Sequence, residues 1–409
     1  MCLDPERVAA THADYTERYT ALVGEFEKLT GGINPKSGKQ MREYLYEKLK
    51  FQEATDHRGN PMRTKGGKKG LPQPRTDKKV LPLLKATTPE QKEFRGLAME
   101  LAKLKVPVQN LDKMAKILKT GEKIVYATLN QTVTDTHRLS SSGRRGGFQF
   151  HNFDRAFKPL FQARGAGCLV VEADAPQLEF RVATHCGNDS VARRDIETGA
   201  DIHSFTASIL GTTRQGAKEH TFKPLYGGQS GTPKEKKYYA AFRDRYQAIY
   251  KTQEGWTYEV AKHKELRIAS GLKFYWPDTK IKDSGGRQYI TNTPSIFNYP
   301  IQSFATADII PLTLVLLWHR IAGMDGVFIV NTIHDSIVLE SSADVLDSLL
   351  DKLRDCFCTE VLRLLKALYG IEMTVPLGTE VKSSSHWADS SEDDFTKTLF
   401  DPGVRKAAP

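Results

Sequence analysis

Cysteine is scarce in this chain: five among 409 residues, Cys2, Cys168, Cys186, Cys356 and Cys358. The count is odd and no two are spaced C-x-x-C, which argues against a disulfide framework and against a structural zinc site. Such usage fits a reducing, intracellular setting, and a cytoplasmic location is the expectation. Long apolar runs are also missing. The longest, from Ile309 to Trp318, is roughly ten residues, contains Pro311, and is too short to cross a bilayer. The N-terminus, MCLDPERVAA, has no basic start followed by an apolar run, so no secretory signal is read there and no membrane partner is expected. Internal repeats and low-complexity tails are absent.

Lys and Arg number 59 against 49 Asp and Glu, a net charge of +10 that leans toward a polyanionic partner without singling one out. The apolar fraction of 39% and aromatic fraction of 9% support a real core and exclude wholesale disorder. At roughly 150 residues per domain, the length suggests two or three domains or one multi-lobed unit.

Helix-period apolar positions run through 6–30, where Gly31 and Gly32 stop them. A second helix is expected after Ser37, a candidate N-cap, with Met41, Tyr44, Leu45 and Leu49 on one face. The segment 59–79, rich in Gly, Pro, Lys and Arg, reads as an exposed basic loop or equally as a solvated linker. Residues 80–120 return to a helical pattern, and 121–165 break into short strands and loops. CLVVEAD (168–174) is a continuous apolar run ending in an acid, as a buried strand emerging at a sheet edge would be. Residues 190–270 read as mainly helical and 297–322 as a long apolar helix. GVFIVNTIHDSIVLES reads as two strands joined by a tight turn at His334-Asp335-Ser336. A helix over about 343–368 and a final strand in MTVPLGTEVK complete the pattern.

Two constellations bear on chemistry. Asp174 ends one expected strand and Asp335 sits between two others, so both would project from one sheet rim. Paired carboxylates repel unless a cation lies between them, and hard oxygen ligands suit Mg²⁺ and in-line phosphoryl chemistry. Each Asp could also simply end its strand. The second is Arg214, Lys218, Phe222 and Tyr226, each four residues from the next, which on one helix makes a stripe of two cations and two rings. It could grip a triphosphate and a base, or be a solvated basic face with two core aromatics.

Seven segments, in order, resemble family A DNA polymerases of the bacterial DNA polymerase I and phage type. VVEADAPQLEFRVATHCGND (170–189) is similar to the first palm motif, and Asp201-Ile202-His203 with Thr206-Ala207 to the fingers segment after it. RQGAKEHTFKPLYGG (214–228) resembles the fingers-helix motif, and NYPIQSFATAD (298–308) the helix near the primer terminus. TIHDS (332–336) resembles the third motif, THRLSSS (136–142) with Asn152 the palm strand and loop at the nascent pair, and VPLGTEVKSSSHW (375–387) the C-terminal strand. INPKSGKQMREYLYEKL (33–49) resembles a thumb helix.

The resemblance implies an α+β right-hand polymerase fold: an antiparallel palm sheet, helical fingers and a helical thumb. The expected division is thumb over 1–130, the first part of the palm over 131–189, fingers over 190–285 and the second part of the palm over 286–409. The implied reaction is template-directed transfer of a nucleotide from a dNTP to a primer 3′-OH. Asp174, Asp335 and the carbonyl of Ala175 would hold two Mg²⁺ ions, with Mn²⁺ able to substitute. Arg214, Lys218 and His203 would grip the phosphates, with Lys218 protonating pyrophosphate. Phe222, Tyr226 and Gln177 would shape the nucleotide pocket, and Glu179 would wall off a 2′-OH. Phe222 in place of Tyr implies preference against dideoxynucleotides. Arg138, Asn152, Arg287, Asn298, Gln302 and His334 would lie on the primer–template side, with Arg138 and Gln302 reading minor-groove acceptors common to every Watson–Crick pair. The basic loop would be the thumb tip on the duplex backbone.

Several positions depart from the family pattern. Lys223 stands for Gly, Thr221 for Asn, Ala175-Pro176 for Tyr-Ser, and Ser336 for a frequent Glu. Pro224 would kink the fingers helix by removing the hydrogen bond to the His220 carbonyl. The family's proofreading domain would lie before residue 1, so neither 3′→5′ exonuclease nor 5′-nuclease is expected here. A stand-alone unit, a split-gene product and a trimmed piece all fit. The expected partners are primer–template DNA and dNTPs for a monomeric enzyme, with a separate exonuclease or processivity polypeptide left open. Competing readings are a single-subunit RNA polymerase, against which Glu179 argues, and an inactive nucleic-acid-binding subunit, which would need no paired acids.

Overall fold

The computed structural model describes residues 1–56, 59–66, 70–143, 147–284, 286–388 and 395–400. The chain forms two compact units, one spanning Leu3–Ile124 and the other combining Met1–Cys2 with the chain from Val125 on.

The Leu3–Ile124 unit is helical. Helix α1 (Pro5–Thr30) starts where the Asp4 carboxylate accepts the backbone N–H groups of Glu6 and Arg7, with Pro5 supplying a pre-set φ. It stops at Gly31, whose φ of +74° is open to glycine at no steric cost. Ser37 caps α2 (Gly38–Arg42) as expected, and the helix continues into a wider π-type turn over Glu43–Lys48. Helix α3 (Pro89–Lys119) opens with a reciprocal capping box between Thr88 and Gln91. Phe26, Tyr44, Leu45, Phe94 and Leu101 build the core, with the Tyr44 and Phe94 rings stacked 5.0 Å apart. In the basic segment Arg63 pairs with Glu53 and Arg75 with Asp77, so two of its cations are already partnered. Lys65, Lys78 and Lys79 are exposed, and Lys68 and Lys69 lie outside the described residues.

The second unit is built on a five-stranded antiparallel sheet. Its strands are β1 (Cys168–Asp174), β2 (Phe328–Ile333), β3 (Ser336–Ser342), β4 (Gly378–Ser384) and β5 (Phe395–Phe400), in the order β2-β3-β1-β4-β5. The sequence reading ended the strands at β4. The structure adds β5, which pairs with β4 from Gly378↔Phe400 to Ser383↔Phe395. Strand alternation sends Val171 and Ala173 into the core and Glu172 and Asp174 to the opposite face.

The helical region after β1 comprises α4 (Leu178–Gly187), α5 (Ser190–Glu197), α6 (Ile202–Leu210), α7 (Arg214–Thr221), α8 (Pro233–Arg245) and α9 (Gln247–His263). The apolar helix is longer than its sequence signal. It runs as α10 (Thr293–Ser303), a π-type stretch over Phe304–Ile309 and α11 (Ile310–Ile321). Continuous over Thr293–Ile321, it is long and apolar enough to cross a membrane by length and composition. Its composition is accounted for by burial: Ile301, Ala305, Ile309, Ile310 and Leu317 all lie in the core. Helices α12 (Leu346–Asp355) and α13 (Val361–Tyr369), joined by another π-type turn, pack on the same core through Leu349, Leu353 and Leu365.

One element departs from the sequence reading in a way that affects the site. The stripe Arg214, Lys218, Phe222, Tyr226 does not lie on one helix. Helix α7 ends at Thr221: Phe222 leaves the helical region, at a φ of −103° and ψ of 4°, and Pro224 has no N–H to donate. The helix terminates rather than kinks. The His220 carbonyl accepts the Lys223 N–H at 3.2 Å instead, and Pro224–Tyr226 forms a separate 3₁₀ turn ending at Gly227.

Candidate active site

The turn between β2 and β3 consists of two residues, His334 and Asp335, with His334 at a φ of +58°. This turn sits beside the end of β1. Ser336 pairs with Asp174 across the sheet, and the Ala175 N–H donates to the Asp335 carbonyl at 3.2 Å. On the other side Glu380 pairs with Asp174, whose carbonyl accepts the Thr379 hydroxyl at 3.0 Å. Three strands therefore fix the backbones of both aspartates. Burial raises the pKa of Asp174, and the charges of Asp335, Glu172 and Glu380 raise it further. Burial likewise raises that of Asp335, opposed by the nearby Arg138.

Two carboxylates held against their own repulsion form a donor set suited to a hard cation. Among the described residues no cluster of three or more His, Cys, Asp or Glu side chains could ligate a metal. A cation held there would draw the rest of its coordination sphere from a backbone carbonyl, water or substrate. That suits Mg²⁺, which keeps several non-protein oxygens, better than a closed zinc site.

After β1 the chain turns sharply through Ala175, Pro176 and Gln177, the last at a φ of +54°, into α4. Glu179, in the first turn of α4, accepts from the Gln302 amide at 3.3 Å. Burial raises its pKa, while Gln302 and Arg138 act in the opposite sense. Two residues assigned to different tasks thus touch. Arg138 carries a buried Nε without a hydrogen-bond partner. Its charge lowers the pKa of Asp335, Glu179, His151 and His334 alike. The His334 ring meets His151 edge-on at 5.1 Å. His151 is a neighbour that the sequence reading missed, since no spacing signal links it to the turn. Asn298, on α10, has a buried Oδ1 without a partner, and Asn152 is exposed. Arg287 lies in a short hairpin strand, and its side chain is outside the described residues.

Arg214 and Lys218 are exposed one turn apart on α7. Arg214 Nε donates to Asp201 at 2.6 Å, and the Ser204 hydroxyl donates to the same carboxylate oxygen at 2.7 Å. His203, on α6, is anchored through Nδ1 to the Thr221 hydroxyl at 2.9 Å. Burial lowers its pKa, and the Arg214 and Lys218 charges lower it further. Phe222 sits against Phe180 and His203, each with rings 5.7 Å apart, so it is partly built into the core. Tyr226 is half-buried with an unpartnered hydroxyl.

Comparison with known proteins matches this geometry to a family. Residues 5–389 match DNA polymerase family A. The chain is 28% identical to DNA polymerase I, thermostable, of Thermus thermophilus over 67% of its own length and 33% of that protein's. Against the Thermus aquaticus protein of the same name the identity is 26%, over 95% of this chain and 46% of the relative. Against DNA polymerase I of Aquifex aeolicus it is 27%, over 78% and 54%. The chain therefore spans about a third to a half of the length of these curated relatives. Among solved structures, the POL domain of Pol1 from M. smegmatis, in complex with DNA primer-template and dNTP, superposes with a TM-score of 0.70 at 20% identity, over 95% of this chain and 67% of that one. The fold is thus that of a polymerase domain, and the chain belongs to DNA polymerase family A.

Proposed function

We propose that this chain is a DNA-templated DNA polymerase that adds dNMP from a dNTP to a primer 3′-OH. The observation that carries the reading is the side-by-side placement of Asp174 and Asp335 across β1 and the β2–β3 turn, in a chain of this family. Asp174, Asp335 and the Ala175 carbonyl would hold two Mg²⁺ ions, with Mn²⁺ able to substitute. When bound, these would favour deprotonation of the primer hydroxyl and neutralise charge on the leaving group.

The remaining roles fall to this chain's own side chains. The primer 3′-oxygen attacks the α-phosphorus, and the bond to the β-phosphate breaks. Arg214, Lys218 and His203 orient the triphosphate, and Lys218 donates a proton to the departing pyrophosphate. Arg214 must first leave Asp201. Both side chains of that pair are well exposed, at 55% and 38%, so it is a weak latch that a triphosphate displaces readily. Glu179, held by Gln302, would wall off a 2′-OH by leaving it neither room nor a free acceptor. Arg138 and Gln302 would read minor-groove acceptors of the primer–template. Exposed lysines of the basic segment add salt-dependent, sequence-independent affinity for the duplex.

The test is extension of a labelled primer on a DNA template with Mg²⁺ and either dNTPs or rNTPs, comparing wild type with Asp335→Ala. Extension with dNTPs alone, lost in the variant while primer–template binding persists, is expected. A folded wild-type protein that binds primer–template but does not extend it would overturn the reading in favour of a binding subunit. Extension with rNTPs would point to an RNA polymerase.

A further inference from the structure

Beside the paired aspartates lies a third carboxylate that the polymerase reading leaves unused. Glu172 precedes Asp174 by two residues on β1, so both side chains leave the same face of the sheet. Its side chain is 14% exposed, and both of its oxygens are partnered. Oε1 accepts from Lys158 Nζ at 2.8 Å and lies 3.3 Å from the Ser336 hydroxyl. Oε2 accepts from Lys158 Nζ at 3.2 Å and from the Trp387 indole N–H at 3.0 Å. Lys158 Nζ also sits 4.4 Å from the centre of the Trp387 ring, a cation–π contact. Ser336 follows Asp335 directly and pairs with Asp174 across the sheet. Glu172 therefore shares a strand with one aspartate and touches the residue next to the other.

We propose that Glu172 and Lys158 are positioning residues that set the divalent-metal affinity of the Asp174–Asp335 centre, Glu172 raising it and Lys158 restraining it. The inference rests on those aspartates being the metal site. A carboxylate on the same face adds negative potential where a dication must sit, and partial burial lets that potential act across the gap. Left unopposed, the same charge would drive the empty centre apart and repel an incoming triphosphate. Lys158 cancels it at long range. Lys158, Trp387 and Ser336 together hold the carboxylate in one orientation. The acid shares β1 and one sheet face with Asp174, whereas Lys158 comes from outside the sheet and bonds the carboxylate. At long range the pair is neutral, and near the centre its negative end dominates.

The test measures Mn²⁺ binding to the full chain by the loss of the free-ion electron paramagnetic resonance signal, with thermal unfolding alongside. Wild type is expected to show a Mn²⁺ site that Asp335→Ala removes. Glu172→Gln should weaken that site about ten-fold, and Lys158→Gln should tighten it several-fold. Opposite signs from the two halves of one ion pair are what a purely structural role cannot produce. Exchanging the charges, Lys158→Glu with Glu172→Lys, should recover the unfolding midpoint yet bind Mn²⁺ more weakly than wild type. If affinity tracks thermal stability across these variants, or if both single variants move it the same way or not at all, the role of Glu172 and Lys158 is overturned. A wild-type protein with no Asp335-dependent Mn²⁺ site overturns the metal reading itself, and this inference with it.

Discussion

Asp189, the last residue of the first palm motif, offers the sharpest test of how the helical region is held. Its side chain is almost fully buried, and its two oxygens cap two different helices. Oδ1 accepts the N–H groups of Val191 and Ala192 at 3.0 Å each, capping α5. Oδ2 accepts those of Ala248 and Ile249 at 3.0 and 3.3 Å, at the start of α9, where the preceding Tyr246 provides no side-chain cap. Asp189→Ala removes both caps. Loss of the α5 cap alone costs about 1–2 kcal/mol. Leaving the two α9 donors unpaired away from water costs a further 1–3 kcal/mol or so. The total is about 2–5 kcal/mol, near 3.5 at the middle. For a cooperative unit of this size the melting midpoint should fall by roughly 5 °C, because the entropy of unfolding grows with chain length. Asp189→Asn keeps one acceptor and turns an N–H₂ group toward the other pair of donors, so it should lose about half as much. Urea unfolding followed by far-ultraviolet circular dichroism reads all three proteins. A loss below about 1 kcal/mol for Asp189→Ala, or an Asn variant as stable as wild type, would refute the double-cap account.

Other perturbations test neighbouring parts of the argument. A Cβ at Gly187 would lie 2.8 Å from the Ile249 Cα, so Gly187→Ala should lose about 2 kcal/mol by forcing α4 from α9. A stabilised variant, the usual result of Gly→Ala within a helix, would refute that packing. Burial holds the imidazoles of His151, His185 and His203 below their ordinary range, reinforced by Arg138, Arg193 and Arg214 respectively. The unfolded chain then takes up protons first as pH falls through about 6.5, so the contribution of these three histidines to stability is full above pH 7 and is lost below it, while the raised carboxyls of Asp174, Asp335 and Glu179 act in the opposite sense. For His151 the decline runs down to about 4. His185→Asn can still accept the Thr374 N–H, and should flatten the difference between urea midpoints at about pH 7.5 and 5.5. An unchanged difference would count against that origin. Glu179→Ala should raise single-ribonucleotide insertion relative to deoxyribonucleotide insertion by on the order of 100-fold, and an unchanged ratio would remove Glu179 from sugar selection. Phe222→Tyr should improve dideoxynucleotide incorporation, read from termination patterns on a sequencing gel. Unchanged termination would place residue 222 away from the sugar.

Much of this protein is determined by local sequence. The cap at Ser37 and the stop at Gly31 are read directly, and the caps that the structure adds at Asp4 and Thr88 are as local, because each satisfies backbone groups within a few residues of itself. The strand 168–174 and the His334-Asp335 turn follow from short apolar runs broken by polar residues, so both aspartates are visible as strand-end acids. Tertiary structure decides what these local signals leave open. That Asp174 and Asp335 are neighbours depends on strands more than 150 residues apart pairing in one register, and no local pattern encodes that. The end of α7 was legible at Pro224, yet regular four-residue spacing suggested a continuous stripe, and spacing does not show where a helix stops. Ser336 and Trp387 lie more than 160 residues from Glu172 and Lys158, and the four carry no motif together. Only the packing of β1 against β3, and of the Trp387 indole against the Glu172 carboxylate, brings them to one point, because a buried charge must find its partners wherever the fold supplies them.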